Sequence, residues 1–282
     1  MKVSVVMAVY NRASLIGECL KSILAQTFQD FEVIVVDDFS DDETLEILRA
    51  FARRDTRIRV FANPRHKFIE TLNMGMSMAQ GEYIARIDSD DVMLPDRLSK
   101  QVEVLDQDNS LAVCCSLYDG FGVTPSQYGH LTGRVNRPYY CLLLGNFIAN
   151  PTSMIRKSFL DNYGLCYQEE NIYSEDYKLW ADIARFGGGF YIIPERLTKC
   201  RHHDNQLSIV HHEIQSDNAF KVQLDILNDL VGELSLSNDR YEKLFNLLAA
   251  FNDEELLSAD TIFLICYELS ENRYRHYSIH YT

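Results

Sequence analysis

Four short apolar runs between Val3 and Ile87 are separated by amphipathic helical stretches, and that alternation fixes the kind of sheet this chain can build. Val3–Val9 reads as a buried strand, and Ser14 as the cap of a helix burying Leu15, Ile16, Cys19, Leu20, Ile23 and Leu24 at helical spacing. Phe31–Val36 is a second strand, near-continuously apolar as a strand covered on both faces should be. Asp41 or Asp42 opens the next helix, through Leu45, Leu48, Phe51 and Ala52. Ile58–Ala62 is a third strand, Glu70–Ala79 a third helix stopped by Gly81, and Tyr83–Ile87 a fourth strand. Strands joined by helical crossovers pair in parallel, so the expected class is α/β, with a Rossmann-like, mostly parallel central sheet wrapped by helices on both faces.

Further on, a helix runs from after Pro95 to about Asp106 and a strand from Leu111 to Leu117. Asp119–Pro138 holds most of the turn residues and reads as a long surface loop, and Phe147–Ile155 reads as extended. A helix from about Glu175 to Phe186 is ended by Gly187–Gly189, and Phe190–Ile193 is a short strand. From about Glu213 the pattern is purely helical, with Phe220, Leu224, Leu227 and Leu230, then Leu244, Leu247 and Leu248. The expected organisation is a sheet-based domain over 1–210, its parts dividing near residue 110, followed by a C-terminal helical appendage over 211–282.

Charge narrows the function classes. With a net charge of −14, the chain is a poor match for nucleic acid, which is held through its phosphates. The apolar runs fall well short of the ~20 residues that span a bilayer. Seven cysteines with no C-x-x-C, and Met1-Lys2 leading straight into an apolar strand, point to a reducing compartment, so the expected location is the cytoplasm.

In open parallel sheets, ligands bind outside the carboxyl ends of the strands. Three such ends stand out: Val9-Tyr10-Asn11, Asp37-Asp38, and Asp88-Ser89-Asp90-Asp91. The first turn, Ala8–Ser14, has no glycine, so it cannot cradle phosphates with bare backbone as a dinucleotide or P-loop site does. If a diphosphate binds here, a divalent cation on carboxylates must do the neutralising. Each residue also has a plainer use: Asp38, Asp41 and Asp42 as helix caps, Asp88-x-Asp90 as a turn, Glu175-Asp176 as acids at a helix start, His203 as a loop histidine.

Their order settles more than any one of them. Ser4–Arg12, Gln26–Asp42, Gly81–Asp91 and Pro95–Leu98 closely resemble the family 2 inverting glycosyltransferases. So do Asn150–Met154, Glu175–Trp180 and Arg201–Ser208, and the likeness spans about residues 3–208. It implies a GT-A fold, with a nucleotide-binding part at about 1–110 and an acceptor part at about 111–210. It also implies that Val9 and Tyr10 contact the nucleoside, and that Asp38 accepts from the uracil ring N–H. Asp88 and Asp90 address the ribose and the metal, Asp90 more directly, and His203 completes the metal shell. Asp176 is the general base, with Glu175 as its rival. The family's glycine- and arginine-rich segment before the third helix is missing, leaving Arg65 or Lys67 as the cations there.

The resemblance thus implies an inverting hexosyltransferase that uses Mn²⁺ or Mg²⁺ and a nucleotide sugar, a UDP-sugar first. The acceptor would be a glycan or lipid-linked saccharide at the inner face of the membrane, in surface polysaccharide assembly. The terminal Arg273–Tyr281 mixes basic and aromatic residues as membrane-touching tails do. Two other readings compete: a nucleotidyltransferase, which would carry a glycine-rich basic first loop, and a non-catalytic acidic-pocket module, which would need neither Asp90 nor Asp176.

Overall fold

The computed structural model describes residues 1–123, 126–128, 131–203 and 206–231. The elements, in order, are β1 (Val3–Val9), α1 (Ile16–Leu24), β2 (Phe31–Asp37), α2 (Thr44–Ala52), β3 (Ile58–Ala62), α3 (Phe68–Met78), β4 (Tyr83–Arg86), β5 (Val92–Met93) and α4 (Arg97–Gln107). They continue with β6 (Leu111–Gly122), β7 (Ser126–Tyr128), β8 (Gly133–Arg134), α5 (Pro138–Leu144), β9 (Met154–Arg156), α6 (Lys157–Tyr163), α7 (Glu175–Arg185), β10 (Gly189–His202), α8 (Leu207–Val210) and α9 (His212–Val231).

One sheet runs in the order β3-β2-β1-β4-β9-β6-β10-β5, with β7 added beside β6 and β8 beside β10. The pairs β3/β2, β2/β1, β1/β4 and β6/β10 are parallel. β9 runs against both β4 and β6, joining the early strands to the late ones. Burial on both faces explains why β2 is apolar almost throughout. Val33 and Val35 pack with Leu20, Ile23, Leu48 and Leu98 on one side, while Ile34 and Val36 pack with Leu72, Met76 and Trp180 on the other. Cys114 and Cys115, adjacent on β6, likewise enter opposite cores as free thiols. α9 packs on α5 and α7. Leu244, Leu247, Leu248 and Arg273–Tyr281 lie outside the described residues.

Several expectations are corrected. Ser14 does not cap α1; the Arg12 carbonyl accepts from Leu15 and Ile16 N–H at 2.9 Å instead. α3 begins at Phe68 because Asp38 Oδ1, distant in sequence, accepts the Lys67 N–H at 3.0 Å. The stretch expected as loop after Asp119 contains the end of β6 and the short strands β7 and β8. Of Phe147–Ile155, only the last two residues are strand. Phe190–Ile193 is the start of a 14-residue strand rather than a whole one. Pro194, which reads as a stop, sits where the β6/β10 register slips between Ile193 and Arg196, so the strand continues past it.

The end of β4, which carries the acidic cluster, is clamped by a buried arginine. Arg97 donates to the carbonyls of Pro151 (2.6 Å), Arg86 (2.7 Å) and Ser153 (3.1 Å), and to Gln101 Oε1 (3.0 Å). Burial lowers its pKa to about 10, still cationic at neutral pH. Arg97→Met would strip three carbonyls of this donor, and should destabilise the fold by about 3 kcal/mol in urea unfolding. A loss near zero would show that the loop at Asn150–Ser153 is held by something else.

Candidate functional site

The carboxyl ends of β1, β2 and β4 carry the site, as the strand order requires. Val9 is buried in the core, and its carbonyl takes the Asp38 N–H at 2.8 Å, so it offers its position rather than its side chain. Tyr10, the next residue, is 41% exposed. Its ring lies 4.3 Å from that of His66, tilted by 46°. Asp38 is 5% exposed, and its Oδ1 accepts from Thr71 Oγ1 (2.6 Å) as well as from Lys67 N–H. Its plainer use is therefore real, but at the start of α3 rather than of α2. Asp42 ties the first two loops together, accepting from Thr44 N–H (2.9 Å) and Ala13 N–H (3.1 Å).

At the end of β4, Asp88 lies 3.6 Å from the buried Arg86. Solvent reaches about half of its side chain, yet the protein crowded around it raises its pKa. Arg86 opposes that rise and Asp90 adds to it. Asp90 Oδ2 meets His203 Nε2 at 3.0 Å and Arg12 Nε at 3.3 Å. A carboxylate only accepts, so both nitrogens donate to it. Arg201 closes the other side, donating from Nε to the Asp90 carbonyl (3.0 Å) and from Nη2 to Glu18 (2.6 Å). Its N–H goes to the buried Asp91 (2.8 Å), whose pKa is raised by burial and by Asp88 and Asp90.

Across from this cluster, α7 begins with Glu175 and Asp176. Asp176 Oδ2 accepts from Asn146 Nδ2 at 3.2 Å and Oδ1 from Tyr177 N–H at 2.7 Å. Burial pushes its pKa up to about 6 against those bonds, and the charge of Asp88 adds to the rise. Glu175 is buried, and its Oε2 finds no hydrogen-bond partner among the described residues. Burial first, and then Asp176, push it up to about 8. Burial thus raises both adjacent carboxyls above their ordinary values, and the charge of Asp88 adds to each rise.

Asp88, Asp90, His203, Glu175 and Asp176 are brought together, and Tyr10 and Asp38 form a second corner beside them. The Arg65 and Lys67 side chains pair with Glu70 (3.0 Å) and Glu169 (3.4 Å), and the Lys67 N–H lies on Asp38. The cations in the site are Arg12 and Arg201, both inside motifs the sequence displays but without a pattern that marks their role. Among the described residues, no three His, Cys, Asp or Glu side chains gather into a set able to hold a metal unaided. Asp90 Oδ2 and, once it gives up the hydrogen it now donates to Asp90, His203 Nε2 offer one oxygen and one nitrogen, a donor pair suited to Mn²⁺, and leave the other positions for a ligand's phosphate oxygens and water.

Residues 4–164 match glycosyl transferase family 2. An uncharacterised glycosyltransferase of Haemophilus influenzae is 31% identical over 247 residues, covering 83% of this chain and 76% of the relative. Staphylococcus aureus TarS (residues 1–349), solved in complex with UDP-GlcNAc, superposes with a TM-score of 0.64 at 18% identity, over 99% of this chain and 94% of that one. The mannosyltransferase PcManGT of Pyrobaculum calidifontis, solved with GDP-Man and Mn²⁺, gives 0.55 at 19% identity, over 95% and 84%. With its mostly parallel sheet and acidic strand ends set in this order, the chain belongs to glycosyl transferase family 2 and is a glycosyltransferase of GT-A fold.

Proposed function

We propose that this glycosyltransferase moves a hexosyl unit from a nucleotide sugar, a UDP-sugar first, to an acceptor hydroxyl with inversion. The observation that carries this reading is that Asp88 is in charge contact both with Asp90, which meets His203 and Arg12, and with Asp176. Tyr10 and Asp38 take the nucleoside and Asp88 its ribose, in a nucleotide part over about 1–110. Asp176 and its partner Asn146 come from the acceptor part over about 111–210. A divalent cation, Mn²⁺ or Mg²⁺, would be held by Asp90 and His203 and would supply Lewis-acid relief of the charge that develops on the departing diphosphate. The nucleotide complexes of the two structural neighbours support the same donor class.

Asp176 accepts the proton of the acceptor hydroxyl as that oxygen bonds to the anomeric carbon. The bond from that carbon to the diphosphate oxygen breaks, and the nucleoside diphosphate leaves with the electron pair. The transition state is oxocarbenium-like, as in glycoside hydrolysis. One base and no protein nucleophile give one displacement, so an α-linked donor yields a β-glycoside. A screen of UDP- and GDP-sugars for nucleotide release, with proton NMR of the product anomer, tests the reading. An α product from an α donor overturns inversion.

The family likeness supports a glycan or lipid-linked saccharide acceptor, in polysaccharide assembly at the cytoplasmic face of a membrane. No helix among the described residues is long and apolar enough to cross a membrane. A pH profile checks the base: kcat/KM should rise with pH, reach half its plateau near pH 6 and level off above it, because Asp176 must lose its proton to act. An acid limb near 3.8, the ordinary aspartate value, would point to a different base.

A further inference from the structure

Asp176 stands in the first turn of α7, so whatever fixes that turn fixes the direction of its carboxylate. The three residues before Glu175 are each gripped by the start of α9. Asn218 Nδ2 donates to the Ile172 carbonyl at 2.9 Å, and Gln215 Nε2 donates to the Tyr173 carbonyl at 2.8 Å. Ser174 Oγ donates back to the Gln215 carbonyl at 2.8 Å. The Tyr173 ring lies flat on that of His211, the residue before α9, at 4.1 Å and 5°.

Two of these contacts are made at a local cost. Tyr173 has φ of +67°, a left-handed conformation that strains a bulky residue and persists only where the surroundings hold it. Ser174 occupies the cap position of α7, where a serine oxygen ordinarily accepts a helix N–H. It makes no such bond, and its hydroxyl is turned to α9 instead. The Tyr177 N–H goes to Asp176 Oδ1 at 2.7 Å, so the carboxylate itself is tied to this turn. α9 has a separate apolar anchor further along, where Val222 and Ile226 are buried and the helix packs on α5 and α7. The polar contacts at its start fall on the one loop whose shape decides where Asp176 points.

We infer that Gln215 is a positioning residue for the base. By holding Tyr173 in its left-handed conformation it sets the first turn of α7, and with it the direction of the Asp176 carboxylate. Asn218 and His211 secure the same loop beside it. The inference rests on Asp176 being the base, as proposed above. It gives α9, which lies beyond the residues 4–164 that match the family, a part in the reaction.

Gln215→Met tests this, because methionine has a similar length and no donor. Hydrolysis of UDP-glucose, UDP-galactose and UDP-GlcNAc, with water as acceptor, is followed by UDP release. In the variant kcat should fall roughly 10- to 100-fold, the scale of a misplacement near 1 Å. UDP affinity with Mn²⁺ and the urea midpoint should stay near wild type. On an Asp176→Asn background the same substitution should cost less than about twofold, because the group it positions is gone. His211→Ala, which removes the stacked ring, should lower kcat in the same sense by a smaller factor.

A second readout needs no turnover. Carbon NMR follows labelled aspartate carboxyls, with Asp176 identified by its absence from the Asp176→Asn spectrum. The wild-type carboxyl should titrate near 6. In Gln215→Met it should move toward 3.8, as the loosened turn lets the carboxyl rotate away from Glu175 and Asp88 into water. Unchanged kcat with an unchanged titration overturns the inference. An equal loss of kcat in both backgrounds also overturns it, because the contact would then serve the fold alone. An Asp176→Asn chain that hydrolyses the donor at the wild-type rate defeats the base assignment itself, which is a distinguishable result.

Discussion

Asp90→Ala should bind UDP with no enhancement by Mn²⁺. Asp90 Oδ2 is the oxygen on which His203 Nε2 (3.0 Å) and Arg12 Nε (3.3 Å) converge. Removing even an outer partner of a metal ligand costs ~10–100-fold in metal affinity, so losing the ligand itself should cost more. The same substitution has an opposite effect in EDTA. Arg12 and His203 lose the carboxylate they now serve, and both become free for the diphosphate. Metal-free UDP affinity should therefore hold or rise while the metal-dependent gain disappears. Calorimetric titrations with and without Mn²⁺ separate the two effects. A variant that keeps the wild-type gain would remove Asp90 from the metal site.

Asp176→Asn should lose transfer while keeping its donor. An amide cannot take a proton from a hydroxyl, and a positioned general base contributes ~10²–10⁴-fold, so kcat should fall in that range. UDP affinity should stay near wild type, because Asp176 acts on the acceptor. Stability gives a second readout with a definite sign. The folded-state pKa of Asp176 is raised above 3.8, so the folded chain holds this proton more tightly than the unfolded chain. Stability from that group is present at low pH and lost as pH rises through about 6. The asparagine variant lacks the penalty and should unfold at higher urea than wild type at pH 8. A variant that transfers at near wild-type rate would assign the base elsewhere, with Glu175 next to be tested.

The parallel half of the sheet was legible because burial on both faces writes itself into composition: β1 and β2 are apolar runs, and the helices between them show one apolar stripe. The acidic strand ends stood out only through the order of their motifs, because each carboxylate alone has a plainer use as a cap, a turn or an acid at a helix start. β9 was legible only as the end of the extended stretch Phe147–Ile155, since three residues between a helical turn and α6 carry too little pattern to mark a strand that runs against both its neighbours. The far half of β10 was hidden by Pro194, which reads as an end but is absorbed at a register shift. Arg12 carries no pattern that marks it, because a single polar residue has no periodicity. Its contact with Asp90 spans 78 residues and arises only through the sheet order.

That sheet order has a consequence for how the chain comes into being. Asp90 and His203 are 113 residues apart, and His203 follows directly on β10, the strand that pairs with β5, β6 and β8. At ~5–20 residues per second of synthesis, Asp90 waits on the order of ten seconds before its partner exists. The first four strands can pair while the chain is still growing, but they carry an acidic edge that lacks Arg201 and His203. On the proposed function, Asp90 and His203 therefore stand together for a nucleotide sugar only after β10, the last described strand, has docked.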